Sequence, residues 1–138
     1  LKNRLKRFLS LTGFTLVEIM IVVAIIALLA SFAIPGLLRT RVTANNTAAQ
    51  ATLKALSSAA EMFAAANAGT YPADEDSLMS PAATPSYLNR SYCGTAYSGF
   101  TFTCQWNPAG YTFVATPVSL NVSGTTTYTM TTGSLLTP

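Results

Sequence analysis

From Phe14 to about Ala68 the apolar positions read as one long helix whose two halves differ in kind. Between Ile19 and Leu38 there is no charged residue, and the only hydroxyl is Ser31. At about 1.5 Å per residue this stretch spans roughly 30 Å, the hydrocarbon thickness of a bilayer. Beyond it the pattern turns amphipathic. Val42, Ala49, Leu53, Leu56, Ala60 and Phe63 recur at helical spacings, whereas Asn45, Asn46, Gln50, Lys54 and Glu61 fall off that stripe. Pro35-Gly36, between the halves, is expected to kink the helix or end its first part. Gly69 is the expected C-cap, with Pro72 just beyond.

After Gly69 the period changes to two. Phe100, Phe102, Cys104 and Trp106 alternate with Thr101, Thr103 and Gln105. Asn107-Pro108-Ala109-Gly110 reads as a turn, Tyr111 to Thr116 as a second strand and Thr125 to Thr131 as a third. The expected fold class is α+β. A long N-terminal helix has a membrane-crossing first half, and its second half packs on a small antiparallel sheet. A head of about 70 residues makes a marginal core alone, so the helix must supply one of its layers. The expected parts are a basic leader at 1–13, an apolar half-helix at 14–38, an amphipathic half-helix at 39–68 and a β head at 69–138.

Charge sharpens this division. Only 9% of residues are charged, and the formal net charge is +3. Lys2, Arg4, Lys6 and Arg7 all precede Phe14. Without them four basic residues face five acidic ones, a net of −1. The basic character therefore belongs to the leader. With only Arg39, Arg41, Lys54 and Arg90 remaining and no basic stripe on the head, nucleic acid is not an expected partner. The chain has no histidine, which excludes Ser-His-Asp and Cys-His catalysis and histidine metal sites. Asp74-Glu75-Asp76 is the only acidic cluster and reads as a solvated loop rather than a calcium site. No cofactor, metal or catalytic residue is expected.

The most informative residues are Thr12-Gly13-Phe14-Thr15-Leu16-Val17-Glu18, which follow the basic leader and open the apolar run. This stretch resembles the N-terminus of type IV pilins and of type II secretion pseudopilins. The resemblance covers residues 4 to about 60 and extends to Tyr71-Pro72. It implies that a membrane peptidase cuts between Gly13 and Phe14 and methylates the new Phe14 amine. Glu18 matches the family's glutamate, the fifth residue after the cut, and Pro35-Gly36 falls where a helix-breaking proline often stands. It further implies a homo-oligomeric filament, a lipid bilayer before assembly, and an inner-membrane platform driven by a cytoplasmic ATPase.

Glu18 has a physical reading of its own. A carboxylate at bilayer depth costs on the order of 3 kcal/mol and is tolerated when it finds a partner. The amine created at Phe14 of a neighbouring subunit is such a partner and would set the axial register of a stack. The alternative is a glutamate that snorkels to water. The leader also admits two other readings, an ordinary secretory signal cut after Ala33 and an uncleaved anchor. Cys93 and Cys104 fit no redox, zinc or haem spacing. In the oxidising periplasm that the resemblance implies they are expected to pair; two buried thiols are the alternative.

The expected function is thus a structural subunit of a pilus-like filament. About 55 helical residues would make a rod near 80 Å, longer than a membrane span requires, and the excess suits a polymerisation surface. A secretion pseudopilin is the neighbouring reading. The major pseudopilins typically bind calcium through acidic residues near the C-terminus, and residues 117–138 contain none. A monomeric, membrane-tethered binding domain is the remote alternative.

Overall fold

The computed structural model describes residues 13–79 and 85–138. The expected leader therefore lies outside the described residues apart from Gly13. The chain forms two compact units, divided between Leu37 and Leu38. A single helix, α1 (Leu16–Ala66), contributes to both. Pro35 lies inside it, so a helix ending at Pro35-Gly36 is not what forms. Proline withholds one donor from the ladder. In a stretch this apolar, breaking off altogether would strand further backbone groups without water to satisfy them.

The C-terminus of α1 also differs from expectation. The helix stops at Ala66, and the first left-handed residue is Ala68 at φ 53°, with Gly69 following at φ 85°. The Gly69 N–H donates to the Ala64 carbonyl at 2.8 Å, the closing bond of a Schellman-type ending. An alanine thus occupies the position that glycine usually fills.

In the second unit, Leu38–Pro138, α1 turns its apolar stripe to a sheet. Ala49, Leu53, Leu56, Ala59 and Ala60 are buried in one cluster with Phe100, Phe102, Phe113, Ala115 and Met130. Val42 and Phe63, at the ends of the stripe, are half-buried. The alanines let the helix approach closely, and the three phenylalanines fill the space between the layers. The sheet is an antiparallel meander in sequence order. Its strands are β1 (Ala96–Tyr97), β2 (Phe100–Asn107), β3 (Gly110–Pro117), β4 (Tyr128–Thr131) and β5 (Leu135–Thr137). β2 and β3 pair from Phe100↔Pro117 to Asn107↔Gly110. The expected turn between them is closed by the Asn107 side chain, which accepts from the Ala109 N–H at 3.0 Å.

β4 begins three residues later than its period suggests, at Tyr128 rather than Thr125. The Thr125 N–H donates to Asn46 Oδ1 at 3.2 Å, and its hydroxyl accepts from Asn46 Nδ2 at 2.8 Å. The helix thereby takes this residue out of the ladder. Along β2, Phe100 and Phe102 are buried while Cys104 and Trp106 are only half covered. Cys104 is joined to Cys93 by a disulfide, with Cα atoms 5.6 Å apart. The bridge ties the segment before β1 to the middle of β2 and contributes about 3 kcal/mol by constraining the unfolded chain.

Two carboxylates expected in water hold the loops instead. Glu75 is buried. Its oxygens accept from the Ser91 hydroxyl at 2.6 Å, the Tyr92 N–H at 2.7 Å and the Cys93 N–H at 3.1 Å. It therefore anchors the return of the chain toward the sheet, and the solvated-loop expectation is corrected for this member of the cluster. Glu61, off the apolar stripe of α1, accepts from the Tyr111 hydroxyl at 2.8 Å, the Tyr71 hydroxyl at 2.9 Å and the Gly133 N–H at 3.0 Å. Tyr111 in turn shares a bond of 2.7 Å with Ser57. One carboxylate thus joins the helix, the segment after it, β3 and the β4–β5 turn. Burial pushes the Glu61 carboxyl up, but its three donors outweigh that and hold it below the ordinary value. The contact with Glu61 also raises the Tyr71 hydroxyl.

Ala68→Gly relieves the left-handed alanine and is expected to stabilise the head by about 1 kcal/mol in thermal or denaturant unfolding. An unchanged or lowered stability would show that Ala68 is not under strain. Because Glu61 is depressed in the folded state, its stabilisation is full above the unfolded carboxyl value of about 4.3 and fades as pH falls through the folded value. Glu61→Gln should therefore lower Tm at neutral pH and lower it much less at about pH 3. An equal deficit at both would mean that the charge is not what Glu61 contributes.

Candidate functional site

Among its described residues the first unit buries no side chain in a core of its own. Every large apolar side chain from Phe14 through Leu37 is half or more exposed, with Phe14 at 84%. The apolar window of α1 is long enough to cross a membrane, and none of it is buried. Each such side chain in water forgoes about 1.5–3 kcal/mol, so the segment as a whole forgoes on the order of tens of kcal/mol. That exceeds the roughly 5–15 kcal/mol by which a domain is ordinarily stable. Another apolar phase has to cover this surface.

At its N-terminal end the expected site residues lie together. Gly13, Phe14 and Thr15 precede the first turn of α1 and are exposed. A Cβ added at Gly13 would meet no atom within 4 Å. Among the described residues nothing in the packing requires glycine there. Thr15 and Glu18 form a reciprocal cap. The Thr15 N–H and hydroxyl donate to Glu18 Oε2 at 2.7 and 2.8 Å, and the Glu18 N–H donates to Thr15 Oγ1 at 3.2 Å. This is the capping box of a T-x-x-E sequence, and it also sets a carboxylate at the positive end of the helix dipole. The spacing is readable in the sequence, but the reading of Glu18 as a membrane charge passes over it. Among the described residues both bonds to the carboxylate converge on Oε2 and none is made to Oε1.

Pro35 and Gly36 lie within α1, well separated from this cluster in sequence. Ser31, one turn before Pro35, turns its hydroxyl back to the Leu28 carbonyl at 2.7 Å, so the one hydroxyl of the apolar run is satisfied within the helix. Cys93 and Cys104 belong to the head and are structural. Among the described residues no group of three or more acidic or cysteine side chains is placed to hold a metal ion.

Fold and sequence together define an α+β subunit whose long helix begins with an exposed apolar half. The comparisons agree. The profile of the prokaryotic N-terminal methylation motif matches residues 12–34. The type IV wide pilus major component PilA4 of Thermus thermophilus is 34% identical over 107 residues, covering 76% of this chain and 81% of that protein. The type II secretion system core protein G of Vibrio cholerae is 38% identical over 74 residues, 54% of this chain but only half of that protein. No solved structure matches. The chain belongs to the type IV pilin family, in the broad sense that takes in the secretion pseudopilins.

Proposed function

We propose that this chain is a structural subunit of a type IV pilus-like filament, held in the inner membrane by the first half of α1 until it is polymerised. The observation that carries the reading is the exposed apolar half-helix. Lipid covers it before assembly, and the same surface of other copies covers it afterwards. The basic leader stays cytoplasmic by the positive-inside rule, which puts the head in the periplasm and then on the filament surface. A disulfide in that head suits an oxidising compartment.

Maturation in this reading is a cut between Gly13 and Phe14 by a prepilin peptidase that also methylates the Phe14 amine. Thr15 caps the helix through Glu18 Oε2, and Oε1 receives the cationic amine of a neighbouring Phe14. A carboxylate at this depth is costly alone and stabilising when paired, so the pair selects one axial register. Pro35-Gly36, with one backbone donor missing, is the point at which α1 loosens as the subunit leaves the bilayer. As the resemblance to the pilins implies, the work of assembly comes from an inner-membrane platform and its cytoplasmic ATPase.

A pseudopilin of a type II secretion system is the second reading, and the 38% identity with the Vibrio core protein favours it. The acid-free stretch 117–138 and the broader coverage of the Thermus pilus component weigh toward the pilus.

The test is the N-terminal residue, mass and yield of chain in sheared-filament and membrane fractions, for wild type and two Glu18 variants. Wild type is expected to begin at N-methyl Phe14. Glu18→Ala loses the cap and the charge, whereas Glu18→Gln keeps a cap and loses only the charge. Both are expected to reach the membrane and to drop at least about tenfold in the filament fraction, a shift of about 1.4 kcal/mol or more in assembly. Normal filaments from Glu18→Gln would contradict the ion pair, and a start at Ile34 would contradict the anchored subunit.

A further inference from the structure

The connection between β3 and β4 carries apolar side chains that the head does not use. Val118, Leu120 and Val122 are 60, 63 and 72% exposed, although the loop itself is tightly built. The Asn121 N–H donates to the Gly124 carbonyl at 2.7 Å, and the Val122 and Ser123 N–H groups both reach the Ser119 carbonyl. The Ser123 hydroxyl closes the ring by accepting from the Ser119 N–H at 2.9 Å. The loop is also fastened to the helix. Asn45 Nδ2 donates to the Ser123 carbonyl at 2.8 Å, and Asn46 holds Thr125. Gly124 is seated so closely that a Cβ there would overlap the Phe100 ring and lie 3.0 Å from Asn46 Oδ1. A loop ordered to this degree around three side chains left in water presents them to something.

Its position says to what. Asn45 and Asn46 follow Leu38, the last residue of the uncharged run, by about two helical turns, roughly 10 Å. Leu38 and Arg41 share a cleft with Val122 and Ser123, and Leu38 and Arg39 share another with Asn121 and Thr125. Val122 therefore stands beside Arg41, Asn121 of the same loop beside Arg39, and the loop that also carries Val118 and Leu120 is fastened to α1 just past the end of the uncharged run. All five acidic residues of the chain lie elsewhere, at Glu18, Glu61, Asp74, Glu75 and Asp76. Apolar side chains flanked by cations and free of acids match the headgroup region of an anionic bilayer.

We propose that the β3–β4 loop is a second membrane contact: Val118, Leu120 and Val122 enter the outer leaflet of the inner membrane while Arg39 and Arg41 meet lipid phosphates. The inference rests on the reading of α1 as a membrane anchor. It fixes the head against the bilayer before assembly instead of leaving it free to swing on its tether, and this contact must be given up when the subunit is extracted.

The experiment uses the full chain in phosphatidylethanolamine–phosphatidylglycerol vesicles whose acyl chains carry bromine near the headgroup end. The natural Trp106 is the control. It lies at the β2–β3 turn, where the Pro108 carbonyl accepts from the Tyr71 N–H just past the end of α1, and it should not be quenched. Leu120→Trp in a Trp106→Phe background should lose about half its emission or more, as expected for a ring seated roughly 5–10 Å into the interface. Val122→Trp in the same background repeats the measurement, since neither position contributes to the core. Quenching should weaken when phosphatidylglycerol is replaced by phosphatidylcholine. If the chain floats with the vesicles but the indole introduced by either substitution is no more quenched than Trp106, the loop stands clear of lipid and the proposal fails while the anchor stands. If the chain does not float with the vesicles, anchor and loop contact fail together. Shielding of the Leu120→Trp indole that depends on protein density in unbrominated lipid, without quenching in brominated lipid, would assign the loop to a second copy and overturn the lipid contact.

Discussion

The apolar run from Ile19 to Leu38 cannot be left in water, and the rest of the molecule is arranged around that constraint. The run offers no charge, one self-satisfied hydroxyl and, among the described residues, no layer packed on it. Helix is the conformation that satisfies the backbone under these conditions, which is why α1 continues through Pro35 instead of ending there. A surface that always needs an apolar partner can exchange one for another. Lipid and sister helices present nearly equal hydrophobic environments, so moving between them need not expose the segment to water on the way. What distinguishes the two destinations is packing and polar pairing. In the proposed assembly Glu18 serves this distinction, since a carboxylate is costly beside lipid tails and stabilised beside an amine.

The head solves a different problem. A core of this size is marginal, and it is reinforced by directed contacts. Glu61 gathers donors from three other segments, Glu75 holds the returning loop, and Cys93–Cys104 joins that loop to β2. Each links separate segments of the chain, and each uses an atom inaccessible to periodicity. The sheet is a simple meander, so its pairings are local and its register follows from the turns, as at Asn107–Gly110.

This difference explains what can be read from the residues. The long helix, its membrane-length first half, the β2–β3 hairpin and the motif around Gly13-Phe14 follow from runs, periods and a short signature, all local properties. A helical wheel puts Glu61 on the polar face because it cannot show Tyr71, Tyr111 and Gly133 converging on it. Glu75 reads as solvated because its two acidic neighbours mask its separate environment. The alternation draws β4 too long because Asn46, 79 residues before Thr125, claims that residue. The short β1 and β5 have too few residues to show any period. Two features were legible in principle. One is the T-x-x-E capping box. The other is the helix ending, since a Schellman closure tolerates a residue other than glycine at its left-handed position.

In the proposed assembly the exposed half of α1 exchanges lipid for other copies of itself. A photoreactive residue at Ile26, in the middle of the apolar run, tests it directly. Illumination of the membrane fraction should attach lipid to the chain. In sheared filaments it should attach a second copy, with the cross-link mapping to the stretch between Phe14 and Leu38 of that copy. Lipid adducts alone in both fractions, or cross-links that map to the β head, would contradict a filament core made from this surface.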